Sequence, residues 1–113
     1  IKVIKNKKGN IIKFLNFKKK LLNRYGEIYF SEVKKNYFKG WKYHKNRNQI
    51  LTIASGTVIF SFKKSLKDKP KVIKLSYPNN LYSLMIPKKT YYSFKCVSKK
   101  QGIIVNLIDE IVK

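Results

Sequence analysis

The sequence predicts an all-β, antiparallel sandwich or barrel, and three observations support this. Short runs rich in β-branched and aromatic residues recur along the 113 residues. Turn signals separate them about every 8 to 12 residues, a spacing typical of all-β domains. No apolar set recurs with helical periodicity, whereas Val58, Phe60 and Phe62 alternate with Ile59 and Ser61, as the two faces of a strand require.

Taken in order, Gly9-Asn10 is a turn signal ahead of a first strand, Ile11 to Leu15. Phe17 to Arg24, with lysines at 18, 19 and 20 followed by Leu21-Leu22, reads as a loop or a single helical turn, the lysines solvated. Gly26 opens a β-rich run from Glu27 to Val33, and Lys34 to Asn36 connects it to Tyr37-Phe38. Ile50 to Ala54 and Thr57 to Phe62 flank Ser55-Gly56 as a tight hairpin. Lys63 to Pro70 is an exposed loop, Lys71 to Ser76 a strand, and Tyr77-Pro78-Asn79-Asn80 a turn. Leu81 to Ile86, Tyr91 to Val97 and Gly102 to Ile108 complete roughly eight strands, with Asp109-Glu110 expected to cap a short C-terminal turn.

The size fits one domain, residues 1–113. A hydrophobic fraction of 43% and an aromatic fraction of 14% argue against intrinsic disorder. No apolar run approaches the roughly 18 residues of a membrane helix, and lysines interrupt the N-terminal segment in a way no signal peptide tolerates. Cys96 is the only cysteine, so no internal disulfide forms; a reduced, cytoplasmic setting is expected, with the thiol acting as a small buried hydrophobe.

The net charge is +22, from 27 basic and 5 acidic residues. Nucleic-acid binding is the first reading of such a balance. It is disfavoured because the cations are lysines except Arg24 and Arg47, and because they are spread along the chain. Abundant Lys, Ile and Asn also follow from AT-rich coding. The scarcity of acids does not, which leaves a general attraction to anionic small molecules.

The most informative stretch is Lys39-Gly-Trp-Lys-Tyr-His-Lys-Asn-Arg-Asn-Gln-Ile-Leu-Thr-Ile-Ala-Ser-Gly56. Side chains at i and i+2 of an extended chain share a side, so Lys42 and His44 are expected to enter one cavity, with Gln49 nearby. A metal there is not expected. The chain has one histidine, and a lysine in the cluster would repel a cation. No Gly-rich phosphate loop, Ser-His-Asp set or Cys-His pair of convincing spacing is present.

These residues resemble the cupin superfamily, in particular its RmlC-like sugar-nucleotide enzymes. Lys42-x-His44, Gln49, six residues and Gly56 match the spacing of the first cupin motif with substituted ligands. Ile86-Pro87-Lys88-Lys89-Thr90-Tyr91-Tyr92-Ser93-Phe94 is similar to the second, with Lys89 at the glycine and Tyr92 at the histidine position. Lys8-Gly9-Asn10 and the run from Gly26 to Val33 look like that group's opening strands. The dTDP-4-dehydrorhamnose 3,5-epimerases and the dTDP-4-keto-6-deoxyhexose 3,4-ketoisomerases fit best. Against the ketoisomerase pattern Arg-Gly-x-His-x-His, four residues, Gln, the first histidine has become Lys42 and the second survives as His44.

The resemblance implies a double-stranded β-helix, the antiparallel jelly-roll barrel of the cupins. It implies a metal-independent isomerase or epimerase that uses no cofactor and acts on a dTDP-linked 4-keto-6-deoxyhexose in deoxysugar or surface-polysaccharide synthesis. His44 would be the base, Tyr92 or Tyr91 the acid, and Lys42 a stabiliser of developing negative charge or a base if burial lowers its pKa. Gln49 would contact substrate, Trp41 would stack on a base or sugar or else lie in the hydrophobic layer, and Lys39 and Arg47 would hold the diphosphate or else belong to a solvated basic surface. A homodimer by sheet extension or exchange of N-terminal strands is expected. The alternatives are a non-catalytic cupin binding a nucleotide sugar or another anion, and a basic β-barrel binding nucleic acid.

Overall fold

The computed structural model describes residues 1–15, 22 and 24–110. They form ten strands: β1 (Lys2–Ile4), β2 (Ile11–Lys13), β3 (Glu27–Val33), β4 (Phe38–Tyr43), β5 (Gln49–Ser55), β6 (Thr57–Lys63), β7 (Lys71–Ser76), β8 (Leu84–Ile86), β9 (Tyr91–Cys96) and β10 (Gly102–Ile108). All strand pairs are antiparallel, and no helix occurs among the described residues. Two four-stranded sheets, β3-β10-β5-β8 and β4-β9-β6-β7, form the body, and β1 and β2 make a separate two-stranded ribbon.

Register decides what enters the space between the sheets. Across the first sheet Glu27 faces Ile108 and Ile108 faces Gln49, which faces Ile86. The next inward rung is Tyr29, Asn106, Leu51 and Leu84, and the one after it Ser31, Ile104 and Ile53. On the second sheet Lys42, Tyr92, Phe62 and Lys71 are partners, as are Cys96, Val58 and Leu75. Val33, Leu51, Ile53, Val58, Phe60, Leu75, Phe94, Cys96 and Ile104 make the core. Each such buried side chain contributes about 1.5–3 kcal/mol of transfer free energy. The alternation of Val58 and Phe60 is as expected, and Cys96 is a buried free thiol.

Gly102, on β10, packs against Val58 of the opposite sheet. A Cβ there would come within 2.8 Å of Val33 Cγ1 and of Val58 Cγ2, so the position requires the smallest residue. On the outer face of the first sheet, Ile50 and Leu107 are buried by Leu22, Phe14 and Leu15.

The structure differs from the sequence expectation at several points. β1 was not expected, because its lysine-interrupted segment carries no strand pattern of its own; pairing with β2 across the Gly9-Asn10 turn forms it. β2 ends at Lys13, since Phe14 and Leu15 turn down onto the sheet. The expected strand from Leu81 covers only Leu84–Ile86, and Leu81 packs into the core. The segment from Phe17 to Arg24, with the lysines at 18–20, lies outside the described residues apart from Leu22 and Arg24. The C-terminal turn expected after Asp109-Glu110 lies outside the described residues; the Asp109 carboxylate accepts hydrogen bonds from Asn48 N (3.0 Å) and Asn48 Nδ2 (2.9 Å), and Glu110 pairs with Arg24.

Candidate functional site

The site forms where the two edge strands β3 and β4 face each other across the barrel mouth. β4 reaches it through an irregularity. Its register on β9 shifts between Lys39 and Lys42, and Gly40 has φ +145°. A Cβ at Gly40 would lie 2.5 Å from Ser93 Cβ, so glycine meets both the conformational and the steric demand. Beyond the bulge Lys42 turns inward opposite Tyr92, and Tyr43 turns outward to pack on Tyr91 at a ring separation of 4.5 Å. The next inward residue is His44, as the i, i+2 spacing requires.

The loop after His44 is fixed from outside. His44 O accepts a hydrogen bond from Lys89 N (2.7 Å), and Asn48 Oδ1 accepts one from Lys88 N (2.9 Å). Lys89 has φ +64°, so this lysine adopts the left-handed backbone of the glycine that the second motif would carry. With the Asn48–Asp109 bonds, these contacts tie the loop 44–48 to both the β8–β9 turn and the end of β10.

Glu27, Tyr29, Lys42, His44 and Tyr92 line a cavity of about 290 Å³. His44 Nε2 lies 3.3 Å from Tyr92 Oη, within hydrogen-bond reach. Lys42 Nζ sits 5.2 Å from the centre of the Phe94 ring, and among the described residues no carboxylate approaches it within ion-pair distance. Behind the cavity wall, Gln49 donates to Asn106 Oδ1 at 2.6 Å, both side chains being buried.

The electrostatics follow from burial in a basic protein. Burial and then the neighbouring Lys39 charge lower the Lys42 pKa. Burial, then Arg47 and Lys42, lower that of His44, which holds the imidazole neutral at pH 7. Tyr92 is pushed up to about 12 by burial and by Tyr29, against a smaller opposing effect of a hydrogen bond with Gln49. Burial and then Glu27 raise Tyr29, with Arg47 opposing. At neutral pH the cavity therefore holds a neutral imidazole, two protonated phenols and an amine more easily deprotonated than usual.

Lys42, His44 and Tyr92 come together as expected. Gln49 does not reach the cavity; it is fully buried and supports Tyr92 from behind. Tyr91 faces the opposite way from Tyr92, because strand neighbours alternate, and stands outside the cavity. Trp41 is also outside, its ring beneath Lys63 Nζ at 4.1 Å and edge-on to Phe38. Lys39 Nζ donates to Glu32 O (2.6 Å) and borders a different hollow, with Lys34, Tyr37 and Phe38. Arg47 is half-buried, and its charge is felt at both His44 and Tyr29, so it belongs to the rim of the site and not to a freely solvated surface. Glu27 and Tyr29 were not anticipated. The alternation of Glu27, Tyr29 and Ser31 against Ile28, Phe30 and Glu32 was the available signal, since it already places two ionisable groups on one face.

No group of three or more His, Cys, Asp or Glu side chains among the described residues is arranged to hold a metal ion. No helix among them is long and apolar enough to cross a membrane.

Over 99% of its length the chain superimposes on a dTDP sugar isomerase from Desulfovibrio desulfuricans G20 with a TM-score of 0.85, at 23% identity and covering 74% of that chain. The fold is that of the RmlC-like cupins. A dTDP-6-deoxy-D-glucose-3,5-epimerase from Legionella pneumophila Philadelphia 1, in complex with dTDP-4-keto-L-rhamnose, matches with a TM-score of 0.84 at 16% identity. That match covers 99% of this chain and 65% of the epimerase, so the chain spans less than two-thirds of it. A sugar 3,4-ketoisomerase from Thermoanaerobacterium thermosaccharolyticum, in complex with TDP, gives 0.74 at 22% identity, covering 99% and 78%. No family model and no curated protein matches the sequence.

Proposed function

We propose that this cupin, as one unit over residues 1–113, binds a dTDP-linked 4-keto-6-deoxyhexose and moves a proton at the carbon beside its ketone. The convergence of neutral His44, protonated Tyr92 and Lys42 on one cavity carries the reading. It is supported by structural similarity to proteins described as dTDP sugar isomerase, 3,5-epimerase and 3,4-ketoisomerase. A cavity of about 290 Å³ lies near the small end of ligand pockets, about 300–1,000 Å³, which suits a sugar ring with its nucleotide reaching outward. Arg47 at the rim is the residue best situated for the diphosphate.

His44 removes the α-proton, Lys42 acts at the carbonyl to make that proton acidic, and Tyr92 returns a proton. Neither Tyr91 nor Trp41 touches the sugar in this reading. The protein works in the cytoplasm, consistent with its single reduced thiol, and as a homodimer, for which exposed Ile28 and Phe30 on edge strand β3 offer an apolar surface. One specific observation favours the non-catalytic alternative, a nucleotide-sugar binder: lysine stands where related cupins carry the first histidine.

Incubation with dTDP-4-keto-6-deoxyglucose in deuterated water separates the two. Deuterium incorporation seen by NMR and abolished in His44→Ala supports the enzyme. Calorimetric binding of dTDP without any exchange supports the binder. Binding of oligonucleotides with steep salt dependence, and of no dTDP, would reject both.

A further inference from the structure

We propose that Lys42 is a covalent catalytic residue, forming an imine with the ketone of the bound sugar, and that the reaction is therefore epimerisation and not carbonyl migration. The proposal rests on the reading of the site as a ketosugar site and assigns its reaction type.

Four observations lead to it. Lys42 points into the cavity that holds the acid–base pair His44 and Tyr92, and it is the direct cross-strand partner of Tyr92. No carboxylate stands within ion-pair distance of its Nζ among the described residues, so only the modest attraction of the Phe94 ring at 5.2 Å favours the ammonium. Burial and the neighbouring Lys39 act in the same direction, favouring the free amine. Lys39 is the other lysine of the motif, but its amine is engaged with Glu32 O and it borders a different hollow.

The chemistry balances without any co-reactant beyond water and protons. The neutral amine of Lys42 adds to the ketone carbon; the C–O bond breaks, water leaves, and a protonated imine forms. His44 takes a proton from the adjacent carbon. The electron pair of that C–H bond forms a C=C bond, and the C=N π pair moves to nitrogen, giving a neutral enamine. Tyr92 donates a proton to the same carbon from another direction, the protonated imine returns, and water hydrolyses it to the ketone and free Lys42.

The alternative outcome fails on the same bookkeeping of electrons. If the enamine of a 3-hydroxy sugar were protonated at the former ketone carbon instead, the carbonyl would move to its neighbour. The lysine would then be left in a saturated C–N bond that water does not hydrolyse. A lysine imine thus turns over only when the proton returns to the carbon it left.

Reductive trapping tests this directly. The whole protein is incubated with dTDP-4-keto-6-deoxyglucose and sodium cyanoborohydride, digested and mapped by mass spectrometry. One adduct per chain, at Lys42, is expected, with protection by excess dTDP. Lys42→Arg, which keeps the charge but cannot form an imine, should still bind dTDP and lose solvent-proton exchange by about 100-fold or more. In ¹⁸O-labelled water the wild-type protein should wash label into the ketone faster than spontaneous hydration does, which an enolate route would not produce. Binding and proton exchange with adducts spread evenly over surface lysines, or release of a 3-keto product, would overturn the imine and leave the ketosugar reading intact. Absence of dTDP binding would overturn both.

Discussion

The two ends of the barrel interior are built from the same strands and behave as opposites. Along β9, Tyr92, Phe94 and Cys96 successively face inward, and along β10 the sequence runs from Asn106 to Ile104 to Gly102. At the Gly102 end, Val33 and Val58 leave no room even for a methyl group. At the other end the inward rungs carry Glu27, Tyr29, Lys42, His44 and Tyr92, and the sheets part around a cavity. The difference teaches that a β-barrel makes a site by changing the residues at one end of its inward rows, while the packing at the far end supplies the rigidity.

That contrast can be broken most sharply by truncation. Phe60→Ala, in the packed core beyond the cavity, should cost about 3–5 kcal/mol in urea denaturation, whereas Tyr92→Phe at the cavity should cost about 1–3 kcal/mol, since the ring stays and only the hydroxyl's bonds with His44 and Gln49 are lost. Equal costs would mean that the cavity end is as structural as the core.

The next effect concerns the loop that bears His44. Asn48→Ala removes the two side-chain bonds, from Lys88 N to Oδ1 and from Nδ2 to the Asp109 carboxylate, and leaves the backbone bond to Asp109, at an expected cost of about 1–3 kcal/mol. Hydrogen exchange should then quicken at the Lys88 and Lys89 amides while β6 and β9 stay protected. Uniform loosening of the molecule would deny the loop its separate fastening.

The smallest effect is a pH dependence. His44 has a folded pKa below its ordinary 6.5, so below about that pH the unfolded chain binds a proton that the folded chain refuses. Stability should fall as the pH drops from near 6.5 to the folded pKa and level off beneath it, with no penalty at pH 7. His44→Asn should flatten that slope in thermal melts taken between pH 5 and 7; an unchanged slope would place its origin elsewhere.

Much of the fold was legible in the chain because a strand writes its faces into a period of two. Alternation alone puts Val58 and Phe60 on one face, and Ser55-Gly56 marks a turn, Gly56 having φ +79°; the expected hairpin does not form there, because β5 and β6 belong to different sheets and do not pair. The same rule put Lys42 and His44 together. It did not show that Trp41 and Tyr91 lie outside, although they are sequence neighbours of Lys42 and Tyr92, because which face of a strand turns inward is set by its partner strands. β1 escaped notice for a related reason: three residues with a lysine at one end acquire a strand conformation only from β2.

The sequence by itself determined the antiparallel β character, the positions of most turns, the poverty in metal ligands and the lysine in place of a histidine. These are local properties, written in period, turn chemistry and residue type. The tertiary structure alone decided that Gln49 supports the site from behind, that Glu27 and Tyr29 belong to it, that Arg47 stands at its rim, and that Asp109 and Lys89 hold the loop carrying His44. Each of these depends on bringing together residues tens of positions apart, and burial and register, which set both the contacts and the protonation states, exist only once the sheets have closed.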